Sequence, residues 1–380
     1  MAPPLWKIRR EFVRFTRQIR ELPQDLHTFF FATRTYDRSS ANKIKIYSGN
    51  APAADRVAVF VIYPVLGLQP SHYQTLAYLQ SKGYAVQVVT NLPLTEADRG
   101  RLLAQCWQCI ERPNFGYDFG AYREGILQFH GQLTRLERLL LINDSNWFPL
   151  PGSRDWLDDV EALDVDFAGV TSHFGAPRPD VEGFRAIKWS YSPNHRNFHY
   201  GSFALCIRPA ILCAPGFIAY WQRLRLANKK KQTVRRGEIG LTQWVLAQGF
   251  THGATLDLDR LDADLAALGT ARLTEIVRDA IIPELPRLKV LRQEILACNS
   301  PAKADLINFI LLAVARQGAS YALAPYAIAE KRGAFLKKSP VWLSSDSADT
   351  TLRLLSQMPG AEDLLAEAIA LRARRQVEKA

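Results

Sequence analysis

The chain has 380 residues, 48% of them hydrophobic and 22% charged, which are the proportions of a folded globular protein with room for a large core and usually two domains. Five cysteines exclude a disulfide scaffold and fit a reducing compartment, and no apolar run is long enough for a membrane-spanning helix or built like a signal peptide. The net charge of +11 implies an anionic partner without choosing among nucleic acid, lipid and phosphorylated substrate.

Residues 1–50 form a basic segment with ten Lys or Arg against four Asp or Glu. Leu5, Ile8, Phe12, Phe15, Ile19 and Leu22 recur at helical spacing, with Lys7, Arg9, Arg10, Arg14, Arg17 and Arg20 between them. This pattern predicts an amphipathic helix over 5–22 that lies on an anionic membrane surface, or one docked on the protein's own core. A second basic cluster, Lys229 to Lys231 with Arg235 and Arg236, reads as a solvated loop. No nucleic-acid-binding motif is present, so nucleic acid is not an expected partner.

From residue 57 strands and helices alternate. The expected strands are Val57 to Tyr63, Tyr84 to Thr90, Cys109-Ile110 and Arg138 to Ile142. Helices are expected from Ser71 to Lys82, from about Thr95, and from Ala121 to His130. Such alternation predicts an α/β fold with a mostly parallel sheet covered by helices on both faces. Ligands in such sheets bind beyond the carboxyl ends of the strands. Two further strands, Asp166 to Ser172 and Ser202 to Arg208, flank a loop over 173–198 of the length expected for a lid. Helices follow from Pro209 to Leu224 and from Glu238 to Gln248. Beyond residue 260 the pattern is helical, without strands. The division expected is 1–50, an α/β domain over 51–258, and a helical region over 259–380.

Four motifs fall at the expected ligand edge. In Asn114-Phe-Gly-Tyr-Asp-Phe-Gly-Ala-Tyr-Arg, Gly116 lets the backbone turn tightly. Asp118 brings a carboxylate to the mouth, and Arg123 is suited to a diphosphate. In Asn143-Asp144-Ser145, Asp144 can help to hold Mg²⁺, which takes its other oxygens from diphosphate and water. His199, in His-Tyr-Gly-Ser, is a candidate metal or phosphate ligand. Glu238, in Arg-Gly-Glu-Ile-Gly-Leu-Thr, is a candidate general base at a helix start. Asn114, Asp118, Asn143, Asp144 and Ser145 are equally the residue types of structural turns and caps. Cys106-Trp-Gln-Cys109 lies at a helix end with no second close cysteine pair, so packing is expected of it rather than redox or zinc chemistry.

In this order and spacing the motifs resemble the rhamnan synthesis protein F family of bacterial cell-surface polysaccharide glycosyltransferases, from about Val57 to Phe250. They resemble more distantly the GT-A glycosyltransferases, in which an Asp-x-Asp stands where this chain has Asn-Asp-Ser. The resemblance implies a GT-A-like, Rossmann-like domain that moves a sugar, such as L-rhamnose from dTDP-L-rhamnose, to a lipid-linked glycan at the cytoplasmic face of the bacterial inner membrane. It implies nucleotide-sugar contacts from Asn114, Gly116, Asp118, Arg123, Asn143, Asp144 and Ser145. It further implies Mg²⁺ or Mn²⁺ at Asp144 and His199, and catalysis by Glu238 or Asp118. The competing expectation is a non-catalytic membrane-associated scaffold that binds glycan or nucleotide.

Overall fold

A computed structural model describes residues 28–377, so the expected amphipathic helix over 5–22 lies outside the described residues. Eight strands form one mixed sheet: β1 Lys45–Ser48, β2 Arg56–Ile62, β3 Ala85–Thr90, β4 Gln108–Glu111, β5 Arg138–Asn143, β6 Phe167–Gly169, β7 Ala204–Ile207 and β8 His252–Ala254. Their spatial order is β1-β4-β3-β2-β5-β7-β6-β8. Strands β2 to β5 are mutually parallel, and only β1 and β7 run against their neighbours.

The unbroken apolar run Val57 to Ile62 is buried on both sides, as a central parallel strand must be. Val57, Val59 and Val61 pack with Leu139 and Leu141 beneath the helices Tyr117–Gln128, Pro215–Arg223 and Gly240–Ala247. Ala58, Phe60 and Ile62 pack with Leu140 and Ile142 on the other face, beneath Pro70–Ser81, Glu96–Leu103 and Trp156–Leu163. The mostly parallel sheet with helices on both faces is therefore present, as is the helical region that follows it.

Several expectations are corrected in detail. Strands β1 and β8 and the helix Trp156–Leu163 were not expected; two are edge strands too short to show alternation. Strand β1 pairs with β4, so part of the 1–50 segment belongs to the sheet. The basic cluster at 229–236 is helical rather than a loop. One run passes from Lys230–Val234 through a π-turn, Arg235–Ile239, into Gly240–Ala247. Gly237 does not break it; a Cβ there would lie 2.3 Å from the Phe119 ring, so the glycine serves close packing. The 173–198 loop is anchored on the helical region, with Phe184 in that region's core and Arg185 paired in two-pronged fashion with Asp305 at 2.9–3.0 Å. The region beyond 260 contains one short strand, Leu336–Lys337, which pairs antiparallel with Asn146–Trp147.

All five cysteines are free; Cys106 and Cys109 are buried, and burial pushes the Cys106 thiol up to about 12, in keeping with a packing role. Among the described residues no helix is long and apolar enough to cross a membrane.

Candidate active site

The carboxyl ends of β2, β3 and β5 open into a cavity of about 360 Å³. Its sheet side carries Tyr63, Asn91, Asn114, Tyr117, Asp118, Asp144 and Ser145. Its far wall comes from the C-terminal region, with Lys338, Trp342, Glu367 and Arg374. Parallel strands bring their chain ends to one edge, and this is where the sequence motifs meet.

Asp144 follows the last residue of β5. Its Oδ2 accepts the Tyr63 amide at 2.7 Å and lies 3.2 Å from His72 Nε2. The Gln69 amide donates to His72 Nδ1 at 2.9 Å, which leaves Nε2 as the protonated nitrogen that donates to Asp144. Burial alone would raise the Asp144 carboxyl, but His72, the Lys338 charge and the Tyr63 amide outweigh it and hold it below the usual carboxylate range. Both bonds fall on Oδ2; among the described residues Oδ1 makes none.

Gly116 caps the helix Tyr117–Gln128 at φ 78°, a left-handed conformation that suits glycine. In the first turn of that helix, Asp118 Oδ2 accepts from Asn143 Nδ2 at 3.0 Å. Burial and the charges of Asp144 and Glu238 push the Asp118 carboxyl up to about 7. Asp118, Asp144 and Glu238 thus share one electrostatic neighbourhood, although their motifs are scattered along the chain.

Glu238 sits on the π-turn rather than at a helix start, hydrogen-bonded by Ser202 Oγ and 3.8 Å from His199 Nε2. It does not line the cavity wall that holds Asp144. His199 is likewise placed away from Asp144. Short-strand pairing sets it opposite His173, the two rings stacked at 5.1 Å, and its Nδ1 bonds the Asn197 carbonyl at 2.8 Å. Of the expected metal pair, Asp144 lines the cavity and His199 does not. Among the described residues no three His, Cys, Asp or Glu side chains gather as a metal site. This donor set does not make a cage for a divalent ion; Asp144 is the group that would meet one arriving on a diphosphate.

Arg123, expected at a diphosphate, points elsewhere. It lies five residues beyond Asp118, about 140° around the helix. Its guanidinium grips Asp37 at 2.9 and 3.0 Å and the Trp221 carbonyl at 3.2 Å. Asn143 is buried, its Oδ1 accepting the Ser145 amide at 3.1 Å, so it orients Asp118 and the turn. Asn114 and Ser145 line the cavity.

Sequence reasoning missed His72, Lys337 and Lys338. The Leu336–Lys337 strand lies beside Asn146–Trp147, and the Lys338 amide donates to the Ser145 carbonyl at 3.0 Å. Lys338 Nζ is paired with Glu367 at 2.7 Å and bonds Ser71 Oγ at 3.0 Å. Lys337 Nζ projects the other way, 3.4 Å from Ser145 Oγ and 4.3 Å from the centre of the Phe203 ring.

A mostly parallel α/β sheet with acidic residues gathered at its carboxyl edge places this cavity where open α/β sheets bind ligands. The sequence matches the rhamnan synthesis protein F family over residues 86–322, and the chain belongs to that family. It is 34% identical over 245 residues to an uncharacterized protein, y4gN, of Sinorhizobium fredii. That match takes in 64% of this chain and 59% of the relative, so the chain spans well under two thirds of the relative's length. Similar solved structures include a mannosyltransferase of Pyrobaculum calidifontis in complex with GDP-Man and Mn²⁺, at 14% identity and TM-score 0.32, covering 93% of this chain and 97% of that one. Core-mannan synthase A of Aspergillus fumigatus in its Mn/GDP form is similar at 11% identity and TM-score 0.28, covering 52% and 72%.

Proposed function

We propose that the protein is a glycosyltransferase that moves a sugar from a nucleotide diphosphate donor to a glycan acceptor. The observation that carries this reading is the meeting of Asp118 and Asp144 in one cavity at the carboxyl edge of the sheet, in a member of a rhamnan synthesis family.

Asp118 is the general base. It lines the cavity, and a carboxyl held near 7 takes a proton readily at neutral pH. It removes the acceptor hydroxyl's proton as that oxygen attacks the anomeric carbon, while the bond to the diphosphate breaks with its electron pair going to the leaving group. Glu238, engaged by Ser202, acts through its charge, which keeps Asp118 basic. Asp144, fixed by Tyr63 and His72, holds the diphosphate end, directly or through Mg²⁺ or Mn²⁺ carried on the donor. Tyr63 and Tyr117, both exposed at the cavity mouth, offer ring faces to the nucleobase.

The family's name supports rhamnose as the sugar, and dTDP-L-rhamnose is the donor that the sequence resemblance implies. A lipid-linked acceptor at the cytoplasmic face of the bacterial inner membrane suits the basic residues 5–22, which would lie on anionic lipid.

Thermal-shift screening against nucleotide sugars, with and without Mg²⁺ or Mn²⁺, tests the reading, because a ligand of the folded state raises its apparent stability. dTDP-L-rhamnose should give the largest shift and be turned over with acceptor. Absence of a shift with every nucleotide sugar would overturn the donor reading, and binding without turnover would favour a scaffold.

A further inference from the structure

The C-terminal ribbon delivers two consecutive lysines beside the Asn-Asp-Ser turn, and strand alternation sends them to different places. Lys338 already has a carboxylate partner in Glu367. Lys337 has none: among the described residues its ammonium forms no ion pair within 4.0 Å, and its contacts are Ser145 Oγ and the Phe203 ring. Lys337 stands behind the cavity wall rather than in it, against Ser145, which lines the cavity, and the charges of Glu238 and of the cavity-lining Asp118 act on it. A partly buried ammonium with no counter-ion in contact is favoured when something anionic completes it.

From this placement we propose that Lys337 binds the donor's diphosphate and receives the negative charge that collects there as the glycosidic bond breaks. The inference rests on the nucleotide-sugar reading above and extends it to a residue beyond the matched family span. The anomeric carbon to oxygen bond breaks heterolytically and its electron pair stays on the terminal phosphate oxygen. Lys337 donates a hydrogen bond to that oxygen and keeps its proton, while the acceptor's proton goes to Asp118. A fixed ammonium supplies transition-state charge stabilisation that a divalent ion provides elsewhere, and it does so where the described residues offer no cluster of three metal ligands.

The test is titration calorimetry of the full chain with dTDP, UDP and GDP, each in excess EDTA and in Mg²⁺, alongside the uncharged nucleosides. The best-bound diphosphate should bind in EDTA. Lys337→Met, which keeps a stem of similar length beside Phe203 and removes the charge, should weaken that binding about 10- to 100-fold with nucleoside binding unchanged. Lys337→Arg should recover most of the affinity and, in the transfer assay, most of kcat. Unchanged diphosphate affinity in folded Lys337→Met protein would overturn the proposal, as would binding that vanishes in EDTA and returns with Mg²⁺. If wild-type protein binds no nucleoside diphosphate in either condition, the donor reading fails and this one with it. Binding without dependence on Lys337 rejects this inference alone.

Discussion

Asn143 spans two motifs: its Nδ2 donates to Asp118 Oδ2 at 3.0 Å, and its Oδ1 accepts the Ser145 amide at 3.1 Å. The helix after Gly116 and the turn after β5 are thereby locked in register. Asn143→Ala should release both. Removing the amide leaves Asp118 without its donor and should cost about 1–3 kcal/mol of stability. Transfer should fall at least tenfold, with kcat more affected than KM.

The carboxyl of Asp118 sits near 7 in the folded protein against an ordinary value of 3.8. Between those values the folded state holds a proton that the unfolded state has released, so stability declines as pH rises through that window. Activity runs the opposite way, rising toward a plateau above pH 7 as the base is freed. Asp118→Asn should flatten the stability slope, raise Tm at pH 8 by a few degrees, and lower kcat by about 10²–10⁴. Denaturation and rate profiles measured from pH 4 to pH 9 check both signs.

Replacing Asp144 by alanine should abolish transfer and nucleotide-sugar binding while circular dichroism stays unchanged. His72→Ala should act more mildly. The Asp144 carboxyl then loses the donor that holds it ionised, its apparent pKa moves up, and activity falls selectively at low pH. An activity–pH profile that does not move would remove His72 from the site.

Arg123→Ala should unfold the protein at a lower temperature without altering donor affinity. Its partners are Asp37 on the helix Thr33–Ser40 and the Trp221 carbonyl. Arg123 also bonds the buried Glu124 at 3.1 Å, while Asp37 is exposed, so losing the guanidinium should cost about 1–3 kcal/mol, mostly through the hydrogen-bond partners left unpaired. Calorimetric binding at a temperature where both proteins are folded separates this from a diphosphate contact.

Gly116→Ala should destabilise by about 1–2 kcal/mol, because φ 78° disfavours a side chain and the new Cβ would sit 3.1 Å from Leu226. Transfer should drop as the Asp118 helix shifts, which activity at a permissive temperature would record.

The sheet and the two acidic turns were legible because they rest on local signals. β-branched runs mark β2 and β3, and a glycine turn before a helix marks Asp118. Asn-Asp-Ser, closing an apolar strand, marks Asp144. The side chains that charge and orient these groups carried no such mark. His72 looked like part of an ordinary helix start, and only its contact with Asp144, 72 positions on, gives it meaning. Lys337 ends a two-residue strand, and Lys338 follows it; the strand is too short for periodicity and pairs with residues some 190 positions earlier. His199 misled because a lone histidine does not reveal which neighbour strand pairing will give it. Arg123 misled because the helix turned it away from the cavity that Asp118 faces.

The ribbon Leu336–Lys337 begins after the family match ends at residue 322. A protein ending at residue 322 would retain Asp118, Asp144 and Glu238 yet shed Lys337, Lys338 and the Glu367 helix. Its pocket would then be roofless and electronegative, and would repel a diphosphate donor of the kind proposed above. Swapping tails between relatives should accordingly alter nucleotide affinity even when no residue of the sheet is touched.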